Sequence, residues 1–111
     1  MHLLYYPQIA LDLIKMKTAT RQKVEFENLA GTFLEHLEPY EIWDLMIVLC
    51  QSISLANLSN SNTVDTLNST FLLEAELQMS DNTKECLRTL DKSTLADVKQ
   101  LMVGILLLNK D

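Results

Sequence analysis

Apolar residues recur every three or four positions along most of this chain, which is the spacing of helices that bury one face. The clearest stripe lies within residues 21–37 and contains Phe26, Leu29, Ala30, Phe33, Leu34 and Leu37. Gly31 weakens that helix by about 1 kcal/mol relative to alanine, so we expect it to serve close packing. Glu38 and Pro39 then break the helix, because proline restricts the residue before it.

Pro39 also predicts the start of a second helix, over residues 40–56, with Glu41 in the first turn favouring the helix dipole. One apolar arc of this helix contains Ile42, Leu45, Met46, Leu49, Ile53 and Ala56. A second set widens the arc sideways and contains Trp43, Ile47 and Cys50. We therefore expect this helix to be central and to offer more apolar surface than a monomer needs. Trp43 fits extra core and an interface anchor equally well.

A polar run at residues 59–63 predicts a surface loop, because its side chains can bond to the nearby backbone. Thr63 is expected to cap a helix over residues 64–79. The stripe of that helix contains Val64, Leu67, Phe71, Leu72, Ala75 and Met79. These residues are therefore expected to face the core.

Two further helices are expected towards the end of the sequence. One lies near residues 82–90, with Ser80 or Asp81 as its cap. The other spans residues 95–108, with Thr94 before it as the cap. Its stripe contains Leu95, Val98, Leu101, Met102, Ile105 and Leu108, and its remaining circumference carries Val103 and Leu107.

Residues 8–17 give a weaker helix signal. Pro7 stands at the favoured first helical position. The apolar residues that follow also alternate as in a strand: Ile9, Leu11 and Leu13. No partner strand is evident in the sequence, so a helix is the interpretation adopted for this segment.

The chain contains two glycines and two prolines among 111 residues. β-Sandwiches, barrels and nucleotide-binding α/β folds need more glycine at turns and close backbone approaches. Hydrophobic residues make up 48% of the chain and charged residues 22%, as in ordinary globular domains. We therefore expect an all-α fold, a compact bundle of about five helices that forms a single domain over residues 1–111.

Charge and cysteine content narrow the expected partners and compartment. A formal net charge of −6 disfavours adhesion to nucleic acid and to anionic membranes. No stretch reaches the ~18 uncharged apolar residues of a membrane span, so no membrane partner is expected. Cys50 lies in an apolar run and is predicted to be a buried free thiol. Two cysteines are too few for a disulfide scaffold, and we expect a reduced, cytoplasmic location.

Few residues offer catalytic or metal-binding chemistry. The corner formed by Glu35, His36, Glu38 and Glu41 could hold a hard cation only with outside ligands, and a solvated corner is favoured. Cys86 is the better of the two cysteines to pair with a histidine, because Lys84 and Arg88 are nearby. A structural thiol is nevertheless favoured there. We expect no cofactor, no metal and no enzymatic activity.

Two oppositely charged segments lie close together in the sequence. The basic run contains Lys15, Lys17, Arg21 and Lys23. The acidic patch contains Glu25, Glu27, Glu35, Glu38, Glu41 and Asp44. Solvated helix surfaces explain both, but such segments could also meet between two copies across a two-fold axis.

The excess of apolar helix surface predicts a non-catalytic interaction protein: a small adaptor, regulator or assembly subunit. Its partner would be a second copy, giving a homodimer, or another protein. The expected interface contains Trp43, Ile47, Cys50, Val103 and Leu107. One alternative is an acidic inhibitor that mimics nucleic acid at a basic site, and a second is a helical bundle or enzyme that binds a small ligand. Burial of the Trp43 indole would remove the basis for the first hypothesis.

Overall fold

The computed structural model describes residues 21–31 and 34–108, and within these ranges the fold is an all-α bundle. Its helices are α1 (Arg21–Ala30), α2 (Pro39–Leu58), α3 (Thr66–Leu73), α4 (Asp81–Leu90) and α5 (Leu95–Leu108). Over the same ranges, the β-type pairing consists of one isolated bridge, between Thr63 and Thr94. The expected helix over residues 8–17 lies outside the described residues.

The central helix is α2, as its hydrophobicity predicts. It contacts α3, α4 and α5, whereas α1 packs chiefly on α4. Three α2 side chains, Leu45, Val48 and Leu49, are fully buried in the middle of the core. The other helices bury Phe26 from α1, Leu87 and Leu90 from α4, and Val98, Leu101 and Ile105 from α5. The described helices thus share one core.

The helix expected over residues 21–37 ends at Ala30, so the prediction was wrong beyond that residue. Gly31 has a φ angle of +91°, in the left-handed region that glycine adopts without strain. Its N–H donates to the Glu27 carbonyl over 2.8 Å and closes the last turn. Gly31 therefore terminates α1 and does not serve close packing inside a helix. Leu34 and Leu37 are still buried, but from the turn that follows.

The start of α2 is held by the residues that the sequence predicts. Pro39 occupies the first turn, where its missing N–H costs nothing. Glu41 Oε1 accepts the Glu38 N–H at 2.8 Å. Glu41 Oε2 accepts the Ser80 hydroxyl, so Glu41 is buried and only 3% exposed. Glu41 therefore joins the N-terminal ends of α2 and α4 and is not part of an acidic surface.

The orientation and bounds predicted for α3 were wrong. The helix is capped by Asp65, whose Oδ1 accepts the Asn68 N–H at 3.0 Å, and it ends at Leu73. Its buried residues are Thr66 and Ser69, whereas its exposed residues include Leu67, Phe71 and Leu72. The Thr66 hydroxyl donates to the Leu87 carbonyl at 2.6 Å. Because this buried side chain is small and hydrogen-bonded, it can face the interior at little cost.

Backbone hydrogen bonds tie the α2–α3 loop to the turn between α4 and α5. The Val64 N–H donates to the Ser93 carbonyl, and the Lys92 N–H donates to the Val64 carbonyl, both over 2.9 Å. The Leu95 N–H donates to the Asn62 carbonyl over 2.8 Å. These bonds fix the start of α5 relative to the end of α2.

The predicted caps of α4 and α5 are confirmed. Ser80 Oγ accepts the Thr83 N–H at 3.1 Å, and Thr94 Oγ1 accepts the Asp97 N–H at 3.2 Å. Each bond satisfies one backbone donor that the first turn of a helix leaves unpaired.

Candidate functional site

One face of α2 points away from the core along the whole helix. It consists of Tyr40, Trp43, Ile47, Cys50, Ser54 and Leu58, and we call it the α2 stripe. Successive members are three or four residues apart, the spacing that keeps a seam on one side of a helix. Trp43 is 53% exposed and Ile47 is 44% exposed. The core is formed by the opposite face of α2, so the side chains of the α2 stripe are not part of it.

An open groove of about 700 Å³ runs along the α2 stripe beside α5, and we call it the α2–α5 groove. It is lined by Trp43, Met46, Ile47, Cys50, Gln51, Ser54, Met102 and Leu106. Most of these side chains are apolar. The groove therefore presents a long apolar surface with polar groups at Gln51 and Ser54.

The structure brings together three of the five predicted interface residues, namely Trp43, Ile47 and Cys50. Val103 is exposed but does not line the groove, and Leu107 is half-buried. Leu106 was missed although it is 52% exposed and lines the groove. It lies three residues after Val103, and that spacing was the signal that could have identified it.

The prediction of a buried thiol was wrong for Cys50, whereas the burial of Cys86 agrees with the structural thiol favoured at that position. Cys50 is exposed, and Cys86 is buried. Burial raises the pKa of the Cys86 thiol to about 11, and the nearby Glu41 and Glu85 carboxylates add to the effect. Because the thiolate is the reactive form, Cys86 is unsuited to nucleophilic chemistry.

The acidic patch is uneven. Glu35 and Glu38 are exposed, Glu25, Glu27 and Asp44 are half-buried, and Glu41 is buried. From the basic run, Lys15 and Lys17 lie outside the described residues, as do the side chains of Arg21 and Lys23. Only the acidic side of the predicted charge pairing can therefore be placed.

The described residues offer little for metal or small-ligand chemistry. Within these ranges, no three His, Cys, Asp or Glu side chains gather around a common point. A polar pocket of about 250 Å³ lies near Ser52, Asp65 and Lys92. Every buried side-chain nitrogen or oxygen in the described part of the chain has a hydrogen-bond partner. The pocket therefore contains no unpaired buried polar group to bind a ligand.

A second apolar surface lies on α3. It consists of Leu67, Phe71 and Leu72, and we call it the α3 face. Phe71 is 76% exposed. However, α3 has only eight residues, or about 12 Å of helix. The α2–α5 groove is the longer of the two surfaces.

By length and composition alone, α2 also meets the criteria for a membrane span. It has 20 residues, and an 18-residue window has a mean hydropathy of 1.3. A core helix passes the same test, and the structure shows α2 in that role: Leu45, Val48 and Leu49 pack against other helices. Its first turns also carry Glu41 and Asp44.

Comparisons of this chain with protein-family models, curated proteins and solved structures find no match. Its function is therefore inferred from its own surface. Of the features above, the α2–α5 groove is the longest apolar surface, and it includes the exposed side chains of Trp43, Ile47 and Leu106. Surfaces of this kind normally mark a binding site for another molecule.

Proposed function

We propose that this chain is a non-catalytic protein interaction module that docks through the α2–α5 groove and the α2 stripe, with a second copy of itself as the partner. The exposure of Trp43 and Ile47 above a complete core carries this proposal. Tryptophan in particular is enriched among residues that dominate binding energy. The proposed location is the cytoplasm, where an exposed thiol such as Cys50 stays reduced.

The packing beneath Trp43 supports an anchor over a core residue. Leu45 and Leu49, on the opposite side of α2, are fully buried, whereas Trp43 is 53% exposed. Deleting a buried tryptophan costs about 3–5 kcal/mol. We expect Trp43→Ala to cost about 1–2 kcal/mol of folding stability, less than for a buried tryptophan, because about half of the residue already lies in solvent.

The experiment is light scattering coupled to size-exclusion chromatography over a concentration series. We expect a reversible dimer, and we expect Ile47→Asp to raise its dissociation constant about 25-fold, as for a central interface residue. Phe71→Asp is the matched control, because it places the same charge on the exposed α3 face. The circular dichroism spectrum of each variant should remain that of a helical protein.

Two results would contradict the proposal. The first is a strict monomer at every concentration. The second is an equal loss of association in the Ile47→Asp and Phe71→Asp variants, which would indicate a general charge effect. Unfolding of both Trp43→Ala and Ile47→Asp would instead assign these residues to the core.

The alternative of an acidic inhibitor is weakened because Glu41 is buried and accepts a hydrogen bond from the Ser80 hydroxyl. Of the remaining patch, Glu35 and Glu38 are exposed, but they lie in and just after the turn that follows α1. A nucleic-acid mimic needs a row of exposed charges at the phosphate spacing. The α2–α5 groove is the better supported surface, and nucleic acid and membranes are not proposed as partners.

A further inference from the structure

We infer that two copies of this chain pair through α2 in an antiparallel arrangement, with the two-fold axis beside Ile47 and Cys50. This inference rests on the proposed function, since it specifies the partner and geometry of the same surface. The α2 stripe runs from Tyr40 to Leu58. A two-fold axis at its midpoint places Tyr40 opposite the Leu58 of the second copy.

Side-chain size along the α2 stripe favours this direction. The first half carries Tyr40, Trp43 and Ile47. The second half carries the smaller Cys50 and Ser54 and ends at Leu58. Antiparallel pairing sets Trp43 against the Ser54 of the second copy, so a large side chain meets a small one. Parallel pairing would set indole against indole and leave a gap between the serines. Close packing requires that large and small side chains alternate across facing positions.

The charges of α2 favour the same direction. The acidic side chains that reach the surface at the start of α2 are Glu38, which precedes the helix, and the half-buried Asp44. Residues 45–58 carry no charge. Antiparallel pairing therefore places each acidic end beside an uncharged end. Parallel pairing would place the two acidic ends together, at a cost from like-charge repulsion.

The size of the surface suits a second copy and a weak, reversible dimer. The α2 stripe is about 27 Å long, and two neighbouring helices present a face about 20 Å wide. The footprint is therefore about 500 Å² on each copy. Stable interfaces bury about 800 Å² per partner, and transient ones bury less than about 600 Å². The α3 face, at about 12 Å by 10 Å, is too small for either.

Cysteine cross-linking tests the direction of pairing. Cys86 is buried with a raised pKa, so the native chain offers Cys50 as the reactive thiol of its described part. In a Cys50→Ser background, Tyr40→Cys and Leu58→Cys each place one thiol at an exposed end of the stripe. Each variant is treated with a short bismaleimide, alone and as an equal mixture.

We expect cross-linked dimers in the mixture and several-fold fewer with either variant alone. Cross-linking of each variant alone, with no increase on mixing, would overturn antiparallel pairing and leave the proposed interaction module standing. A strict monomer would overturn both. Ser54→Trp provides a second check, because it fills the space that receives the Trp43 indole. We expect that variant to dimerise at least about tenfold more weakly while Asn57→Trp, on the margin of the stripe, changes association less.

Discussion

At the scale of single residues, Gly31 sets where the first helix ends. Its φ angle of +91° lies in a region that residues with a side chain rarely adopt. A Cβ at this position would also approach the Glu35 Cδ to 2.7 Å. That contact is with the end of a flexible, exposed side chain that can shift, so the backbone conformation is what selects glycine here.

We expect Gly31→Ala to destabilise the fold by about 1–2 kcal/mol, because the alanine Cβ makes the left-handed backbone conformation unfavourable. Replacing a glycine in the interior of a helix by alanine would instead raise the stability of the fold by about 1 kcal/mol. Urea unfolding monitored by circular dichroism measures the difference. Asn28→Ala, at an exposed position inside α1, should change stability by no more than about 0.5 kcal/mol.

Cys86 gives the fold a dependence on pH above neutrality. Its pKa is raised from 9.0 to about 11 by burial and by Glu41. Well below pH 9 both the folded and the unfolded chain keep this proton, so the thiol does not change stability there. As the pH rises from 9 to 11, the unfolded chain loses the proton first, and up to about 2–3 kcal/mol of stability is lost.

Urea unfolding across this pH range should therefore show a decline that Cys86→Ala reduces. The Cys50→Ser variant is the control, because it removes the exposed thiol and leaves the buried one. Equal declines in the native chain and the Cys86→Ala variant would contradict the assignment to Cys86.

At the scale of helices, α2 and α4 are joined at their N-terminal ends by Glu41. Its carboxylate accepts from the Glu38 N–H at 2.8 Å and from the Ser80 hydroxyl. Ser80 in turn accepts the Thr83 N–H that begins α4. Two helix N-terminal ends, each with a partial positive charge, thus stabilise one buried carboxylate.

A double-mutant cycle should detect this connection. We expect Ser80→Ala to cost about 2 kcal/mol, since it removes a helix cap and one partner of a buried carboxylate. Glu41→Gln should cost about 1–3 kcal/mol, since it weakens both bonds. Because the residues share a bond, the double variant should lose about 1 kcal/mol less than the sum. Additive losses, measured by urea unfolding, would contradict the coupling.

The helices that could be predicted from the sequence are those with both a clear cap and one apolar face. For α4 and α5, Ser80 and Thr94 mark the starts, and the stripes are buried or packed against the core. For α3, the pattern predicted a start at Thr63 and a buried Phe71. The loop is instead tied to Ser93, so the helix starts later, and the hydrogen bond from Thr66 to Leu87 turns the small residues inward. Contacts between residues distant in sequence decided that orientation.

Part of the candidate surface could also be predicted from the pattern of apolar residues. The apolar arc of α2 was too wide for one buried face, and Trp43 and Ile47 are the residues that lie outside it. Cys50 lines the same groove. The prediction that it is buried was wrong, because neighbours in sequence point in different directions on a helix. The spacing of Leu106 from Val103 indicated a shared apolar face of α5, and the packing of α5 on α2 shows that Leu106 lines the groove.

At the scale of the whole molecule, the net charge opposes the proposed pairing of two copies. The chain carries a formal net charge of −6, so two copies repel at long range. The second half of α2, which forms much of the surface, carries none of that charge. We therefore expect the proposed association through this surface to be driven by apolar burial at short range.

Salt should consequently strengthen the dimer. Raising the ionic strength from about 0.01 to about 0.1 M shortens the Debye length from about 30 to about 10 Å. Screening at that range removes most of the repulsion between copies. We expect the dissociation constant to fall about tenfold, as measured by sedimentation or light scattering. Weaker association at higher salt would mean that attraction between unlike charges dominates. The basic run of residues 15–23 would then be meeting the acidic patch of the second copy, and the α2–α5 groove would not be the principal contact.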